Sequence, residues 1–325
     1  MKNYYLIICF LSCLIISAAP AGKFPEAKIS NGILTTHFYL PDFNNGYYRA
    51  TRFDWSGLIT NLDFKGHQYF GQWYEKYDPE IHDAVMGPVE EFGQIGYTDV
   101  KPGGTFIKIG VGALLKPDDS PYSSFKLYKI TNHGKWKIKT ESDQVQFTHE
   151  LKEGEYSYAY NKTINLVKGK PELVIQHTLK NTGTKTLETT VYNHNFMMID
   201  HLLTGPGYIV RFPSNVTAEG RGFNDIARIE GKQMTFLREV SKLESLYCGA
   251  MQGLNNDRSS YDFRIENLKA GAGVHITADQ PVFKLAFWSN TTTVCPEPFI
   301  QIKVEPGKEF KWEIRYEFYT IEMGK

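Results

Sequence analysis

The stretch that decides the fold reads Tyr156-Ser157-Tyr158-Ala159-Tyr160-Asn161-Lys162-Thr163-Ile164-Asn165-Leu166-Val167, followed across Lys168-Gly169-Lys170-Pro171 by Leu173-Val174-Ile175-Gln176-His177-Thr178-Leu179. Two β-prone runs parted by a Gly/Pro turn read as an antiparallel pair. Asn181-Thr182-Gly183-Thr184 then turns the chain into Leu187 to Tyr192. Outward from this centre the pattern repeats. Ile29 to Tyr39, Leu58 to Phe64, Thr105 to Val111, Trp136 to Lys139 and Gln144 to Thr148 read as strands on one side, and Phe283 to Trp288, Phe299 to Val304 and Phe310 to Phe318 on the other. Only Phe236 to Leu246 offers any helical pattern. Many strands at short spacing, separated by Gly and Pro, predict an all-β chain built as a large antiparallel β-sandwich.

Residues 1–21 read as a cleavable signal peptide. Lys2 supplies the positive start, Leu6 to Ile16 an apolar run, and Ser17-Ala18-Ala19-Pro20-Ala21 the small-residue cleavage sites. The run is shorter than the ~20 residues of a membrane span. The expectation is an exported chain, secreted or periplasmic, with no membrane attachment after cleavage. No linker, charge block or repeat divides residues 22–325, so a single domain is expected, as a monomer or weak dimer. The 36 basic and 36 acidic residues give no reason to propose nucleic acid or an anionic membrane as partner. Aromatic residues make up 14%, which suits a β-rich core and supplies platforms for sugar rings. Cys248 and Cys295 remain after cleavage. Export permits a bridge between them, yet two cysteines are no disulfide framework, and Cys295 stands two residues from Glu297.

Two distant segments carry the candidate chemistry. In Val191-Tyr192-Asn193-His194-Asn195-Phe196-Met197-Met198-Ile199-Asp200, a histidine lies between carboxamides and beside an aromatic ring. That setting suits a proton donor near neutral pH, although a lone histidine there is more often a satisfied core residue. In Val294-Cys295-Pro296-Glu297-Pro298-Phe299, two prolines fix the backbone around one carboxylate. An isolated glutamate is usually a surface residue; here apolar Val294 and Phe299 flank it. Arg49 and Arg52 interleave with Tyr47, Tyr48, Phe53 and Trp55, which suits sugar recognition and equally suits arginines stacked for packing. Glu90 and Glu91 read as an acidic wall that shares a proton or meets Arg52, or as a solvated pair. His67 and His82-Asp83 lack compact ligand spacing, so no metal is expected.

The ordered set from Glu172-Leu173-Val174-Ile175-Gln176-His177-Thr178-Leu179-Lys180-Asn181-Thr182-Gly183 through Asn193-His194-Asn195-Phe196 to Ser289-Asn290, Val294-Cys295-Pro296-Glu297-Pro298 and Val304-Glu305-Pro306-Gly307-Lys308-Glu309 resembles the aldose 1-epimerases. The resemblance covers roughly the C-terminal half. It implies the galactose mutarotase-like supersandwich, His194 as acid, Glu297 as base, and a carbohydrate partner, either a reducing monosaccharide or an oligosaccharide end, with no cofactor. Arg52, Glu90, Glu91, His133 and Asn193 are then expected to bind substrate, His133 of Asn132-His133-Gly134 standing in for the family's second histidine. The N-terminal half departs from the family: its early Asn-Arg pair and Leu-His-Gly-Gly stretch are missing, which puts the substrate pocket in doubt. Three functions follow as alternatives: a mutarotase-like epimerase, a carbohydrate-binding sandwich without turnover, and a polysaccharide-cleaving enzyme. A hydrolase would need two carboxylates roughly 5–10 Å apart across one bond.

Overall fold

A computed structural model describes residues 24–322, and the predicted leader, residues 1–21, lies outside them. The hairpin read from the sequence forms as Tyr158–Leu166 against Glu172–Asn181, with Tyr160 opposite Leu179 and Ile164 opposite Ile175. It sits inside a ten-stranded sheet ordered Ala227–Glu230, Gln233–Phe236, Tyr208–Arg211, Asp262–Asn267, Ala272–Ala278, Glu309–Thr320, Glu172–Asn181, Tyr158–Leu166, Gln144–Leu151, Lys135–Thr140. A five-stranded sheet packs against it, ordered Leu246–Met251, Lys284–Ser289, Val294–Val304, Leu187–His194, Val89–Phe92. Two smaller sheets come from the N-terminal third. All named strand pairs are antiparallel, as the short turns require.

Side chains of a strand alternate between its two faces, and this alternation organises everything near the site. From Leu187–His194 and Val294–Val304, Leu187, Val191, Ile300 and Ile302 enter the main core with Ile164, Leu173, Ile175, Ile314 and Tyr316. Burying each such side chain contributes roughly 1.5–3 kcal/mol. The opposite face of the same sheet is covered by the N-terminal segment. There Tyr47, Tyr48, Phe53, Trp55, Val85 and Phe106 join Phe196 and Cys295 in a second core.

One expectation fails here, and one open question closes. Phe236 to Leu246 is no helix: Gln233–Phe236 is a strand, turns follow, and Leu246 begins the next strand. Phe236 is buried while Leu243 is almost fully exposed, so no apolar stripe exists, and Arg238 pins the loop through Asp225 and Glu244. Cys248 and Cys295 are both free and buried. Lys284–Ser289 separates their strands, and the two thiols point into different cores, beyond disulfide reach.

The register between Leu187–His194 and Val294–Val304 positions the site. Thr189 faces Ile302, Val191 faces Ile300, and Tyr192 faces Phe299. Beyond these the ladder bonds stop, yet the bridge between Met197 and Val294 keeps the same register. His194 therefore stands directly across from Glu297. The gap in the ladder has a covalent cause. The amide of Val294 donates to Met197, so the positions of Pro296 and Pro298 turn toward the same neighbour with no N–H to give. Asn195 closes part of the gap, its Nδ2 donating to the carbonyl of Pro296 at 2.8 Å.

Candidate active site

The outward face of the five-stranded sheet floors a cleft of about 570 Å³, within the ~300–1,000 Å³ of small-ligand sites. Strand alternation supplies the floor: Tyr192, His194 and Phe196 from one strand, Glu297 and Phe299 from the next, Lys284, Ala286 and Trp288 from the third, and Glu91 at the edge. Arg52, Trp73, Asp83 and Phe125 close it from the N-terminal side, and Arg221 and Tyr247 from the other.

At its centre His194 Nε2 lies 3.2 Å from Glu297 Oε1. Opposed residues at a non-hydrogen-bonded position have Cα atoms only about 4.5 Å apart, so the contact follows from the register. The imidazole stacks on Phe196 with ring centroids 3.7 Å apart, and Trp288 meets its edge at 5.4 Å. Trp73 stacks on the other side of Phe196 at 5.0 Å. His194 and Glu297 retain only 4% and 6% of their exposure, turned into the cleft. Burial raises the Glu297 carboxyl to about 8, helped by Glu91 and opposed by Arg52 and Lys284. Burial, then the charge of Arg52, holds His194 well below its ordinary value. The two groups touch without forming a hydrogen bond, and both shifts favour the uncharged forms, a protonated carboxyl beside a neutral imidazole. Its remaining nitrogen, Nδ1, has no partner.

Arg52 is clamped rather than free. Its Nε donates to Glu91 at 2.7 Å, Nη1 to Asp83, and Nη2 to the Tyr192 hydroxyl at 3.3 Å. Its guanidinium also lies over the rings of Phe53 and Phe125. Tyr192 in turn donates to Glu91 at 2.6 Å. Burial pushes Glu91 upward, but Arg52, Lys108 and the hydrogen bond from Tyr192 outweigh it and hold the carboxyl below its usual range.

Of the seven residues expected at a site, His194, Glu297, Arg52 and Glu91 meet in this cleft. The other three do not. Adjacent strand residues face opposite ways, so Glu90 points away from Glu91 into the core and the two cannot share a proton. There it is fully buried, paired with Lys162 and 2.8 Å from His177 Nε2. Asn193 faces the same way, its Nδ2 3.4 Å from Glu90, and cannot reach a ligand in the cleft. His133 is exposed on a turn far from the floor, its ring against Phe43 and its carbonyl accepting from His149. The expected layout also changes. With His194 and Glu297 in contact, no pyranose fits between them, and burial favours the protonated carboxyl and the neutral imidazole.

Trp73, Trp288, Asp83, Lys284 and Tyr192 were not anticipated. For Lys284 and Trp288 the signal was present: once Phe283 to Trp288 is a strand, residues 284, 286 and 288 share one face. Trp73 and Asp83 come from irregular segments, where no periodicity assigns a direction.

Neither the known protein-family models nor the curated proteins match this sequence. Solved structures do match its shape. An aldose epimerase homologue from C. elegans superposes with a TM-score of 0.53 at 14% identity, over 92% of this chain and 99% of its own. A galactose mutarotase related enzyme from Lactobacillus acidophilus gives 0.53 at 11% identity, over 92% and 99%. A galactose mutarotase-like protein from Lactobacillus casei gives 0.53 at 11%, over 90% and 100%. The chain has the galactose mutarotase-like fold, far diverged in sequence.

Proposed function

We propose that this chain is an exported aldose 1-epimerase-like enzyme that interconverts the anomers of a reducing sugar at the His194–Glu297 pair. One observation carries the reading: His194 and Glu297 meet 3.2 Å apart at the floor of an aromatic-lined cleft, where burial favours a protonated carboxyl and a neutral imidazole. Mutarotation asks for one acid and one base and nothing else. The two reacting oxygens, the anomeric hydroxyl and the ring oxygen, are both bonded to C1. A sugar presenting that edge to the pair can engage both groups: its hydroxyl donates to His194 Nε2, and its ring oxygen accepts from Glu297. The imidazole takes the hydroxyl proton, the carboxyl gives its own to the ring oxygen, the C1–O5 bond breaks and the C1–O1 double bond forms. The imidazolium and carboxylate left behind attract each other strongly in so dry a site. Rotation about C1–C2 and ring closure with the roles exchanged restore the pair. Trp73, Phe196 and Trp288 offer flat faces to the C–H patches of the ring.

The hydrolase alternative has less support, because Asp83 and Glu91, the other cleft carboxylates, are committed to Arg52. The leader-like residues 1–21 support export. The test is α/β anomer exchange by NMR. The protein should accelerate it, and His194→Ala or Glu297→Gln should reduce the acceleration by roughly 10²–10⁴-fold. Sugars that bind without faster exchange would instead make this a carbohydrate-binding sandwich.

A further inference from the structure

We propose that the sugar taken by this cleft is anionic, bearing a carboxylate or an ester of phosphate or sulfate that Arg221 and Lys284 receive. The inference rests on the mutarotase reading for its reaction but on separate residues for its charge. Arg52 already satisfies Asp83 and Glu91. Arg221 and Lys284, which line the same cleft, have no ion pair and no side-chain hydrogen bond among the described residues.

The two cations enter the cleft from different places in the sheet. Lys284 lies on the cleft face of Lys284–Ser289, two residues before Ala286, which pairs with Glu297. Its Nζ stands 3.8 Å from the centroid of the Phe299 ring, a contact that seats an ammonium without neutralising it. Arg221 is tied by backbone pairing to Tyr247 of the neighbouring strand Leu246–Met251. A neutral sugar would leave both charges beside the aromatic floor uncompensated. An oxyanion on the sugar would meet unpaired cations in the cleft and form charge-assisted bonds with them.

The test compares anomer exchange of galacturonate, glucuronate and glucose 6-phosphate with that of galactose and glucose, using the purified protein. The expected result is a kcat/KM on an acidic sugar about 10-fold or more above that on its neutral counterpart. That preference should shrink about 10-fold in Arg221→Ala and in Lys284→Gln, vanish in Arg221→Glu, and weaken with added salt. Preference for the uronates or for the phosphate ester identifies the oxyanion. Equal or better turnover of the neutral sugars overturns the inference and leaves the mutarotase reading standing. If no sugar exchanges faster, titration calorimetry decides separately. Binding of an acidic sugar that both substitutions weaken sustains the charge assignment while the catalytic reading falls, and failure of every acidic sugar to bind overturns it.

Discussion

Replacing Glu297 by Gln should stabilise the protein while destroying the activity proposed for it. Burial holds the native carboxyl near 8 against an ordinary 4.5. A carboxyl whose folded pKa exceeds its unfolded value binds its proton more tightly in the native state, so stability falls as pH rises between the two. Each pKa unit is worth about 1.4 kcal/mol. At pH 7 the native state therefore forgoes about 3 kcal/mol relative to an uncharged isostere, and by pH 8 somewhat more. Glutamine has the same shape and keeps a hydrogen-bonding end toward His194 Nε2. Urea unfolding of both proteins from pH 5 to 9 measures the effect. The wild type should lose stability relative to Glu297→Gln by about 1.4 kcal/mol per pH unit up to about pH 8 and then level off. Parallel curves over that range would mean that Glu297 titrates as an ordinary carboxylate, and the neutral pair would be refuted.

The same protonation state sets the pH dependence of turnover: kcat/KM should fall above about pH 8 as Glu297 loses its proton, and hold on the acidic side until well below the usual histidine range. A profile that instead rises through the ordinary glutamate range and falls again as His194 loses its proton would return the base role to Glu297. Beneath the floor, Glu90→Gln should destabilise the fold by up to roughly 3–5 kcal/mol, because it takes from the buried Lys162 ammonium its nearer carboxylate and leaves only Asp54, 3.9 Å away. Differential scanning calorimetry at pH 7 reads this directly, and an unchanged Tm would refute the pairing.

Strand alternation explains what the sequence made legible and what it hid. Runs such as Tyr158–Leu166 and Leu187–His194 announce themselves because one face is apolar, so the sandwich and its central hairpin could be read ahead of the structure. Which of two adjacent polar residues faces the cleft could not be read, because a shift of one position inverts every assignment. Glu90 and Glu91 show the difficulty plainly: one is sealed against Lys162 and His177, the other answers Arg52 in the cleft. Lys162 is harder still, a charge at an inward position of a strand whose other inward residues are apolar or aromatic, intelligible only once Glu90 arrives from another sheet. His133 was attractive as a histidine in a short turn, yet its position in the fold keeps it outside the cleft.

The two segments flanking the reactive pair are complementary in a way that neither reveals alone. Pro296 and Pro298 remove two amide donors from the edge facing Leu187–His194, which leaves carbonyls to satisfy and a ladder unable to zip fully. Asn195 is placed to answer this: Nδ2 donates to the Pro296 carbonyl, and Oδ1 accepts from the Tyr316 hydroxyl at 2.9 Å on the opposing sheet. One carboxamide thereby fixes the backbone beside Glu297 to both layers of the sandwich. The separation of His194 and Glu297 is consequently set by backbone register and an inward-facing asparagine rather than by attraction between the reactive groups themselves. A pair so held keeps its place when a substrate edge engages it, and that is the condition a one-sided acid–base catalyst has to meet.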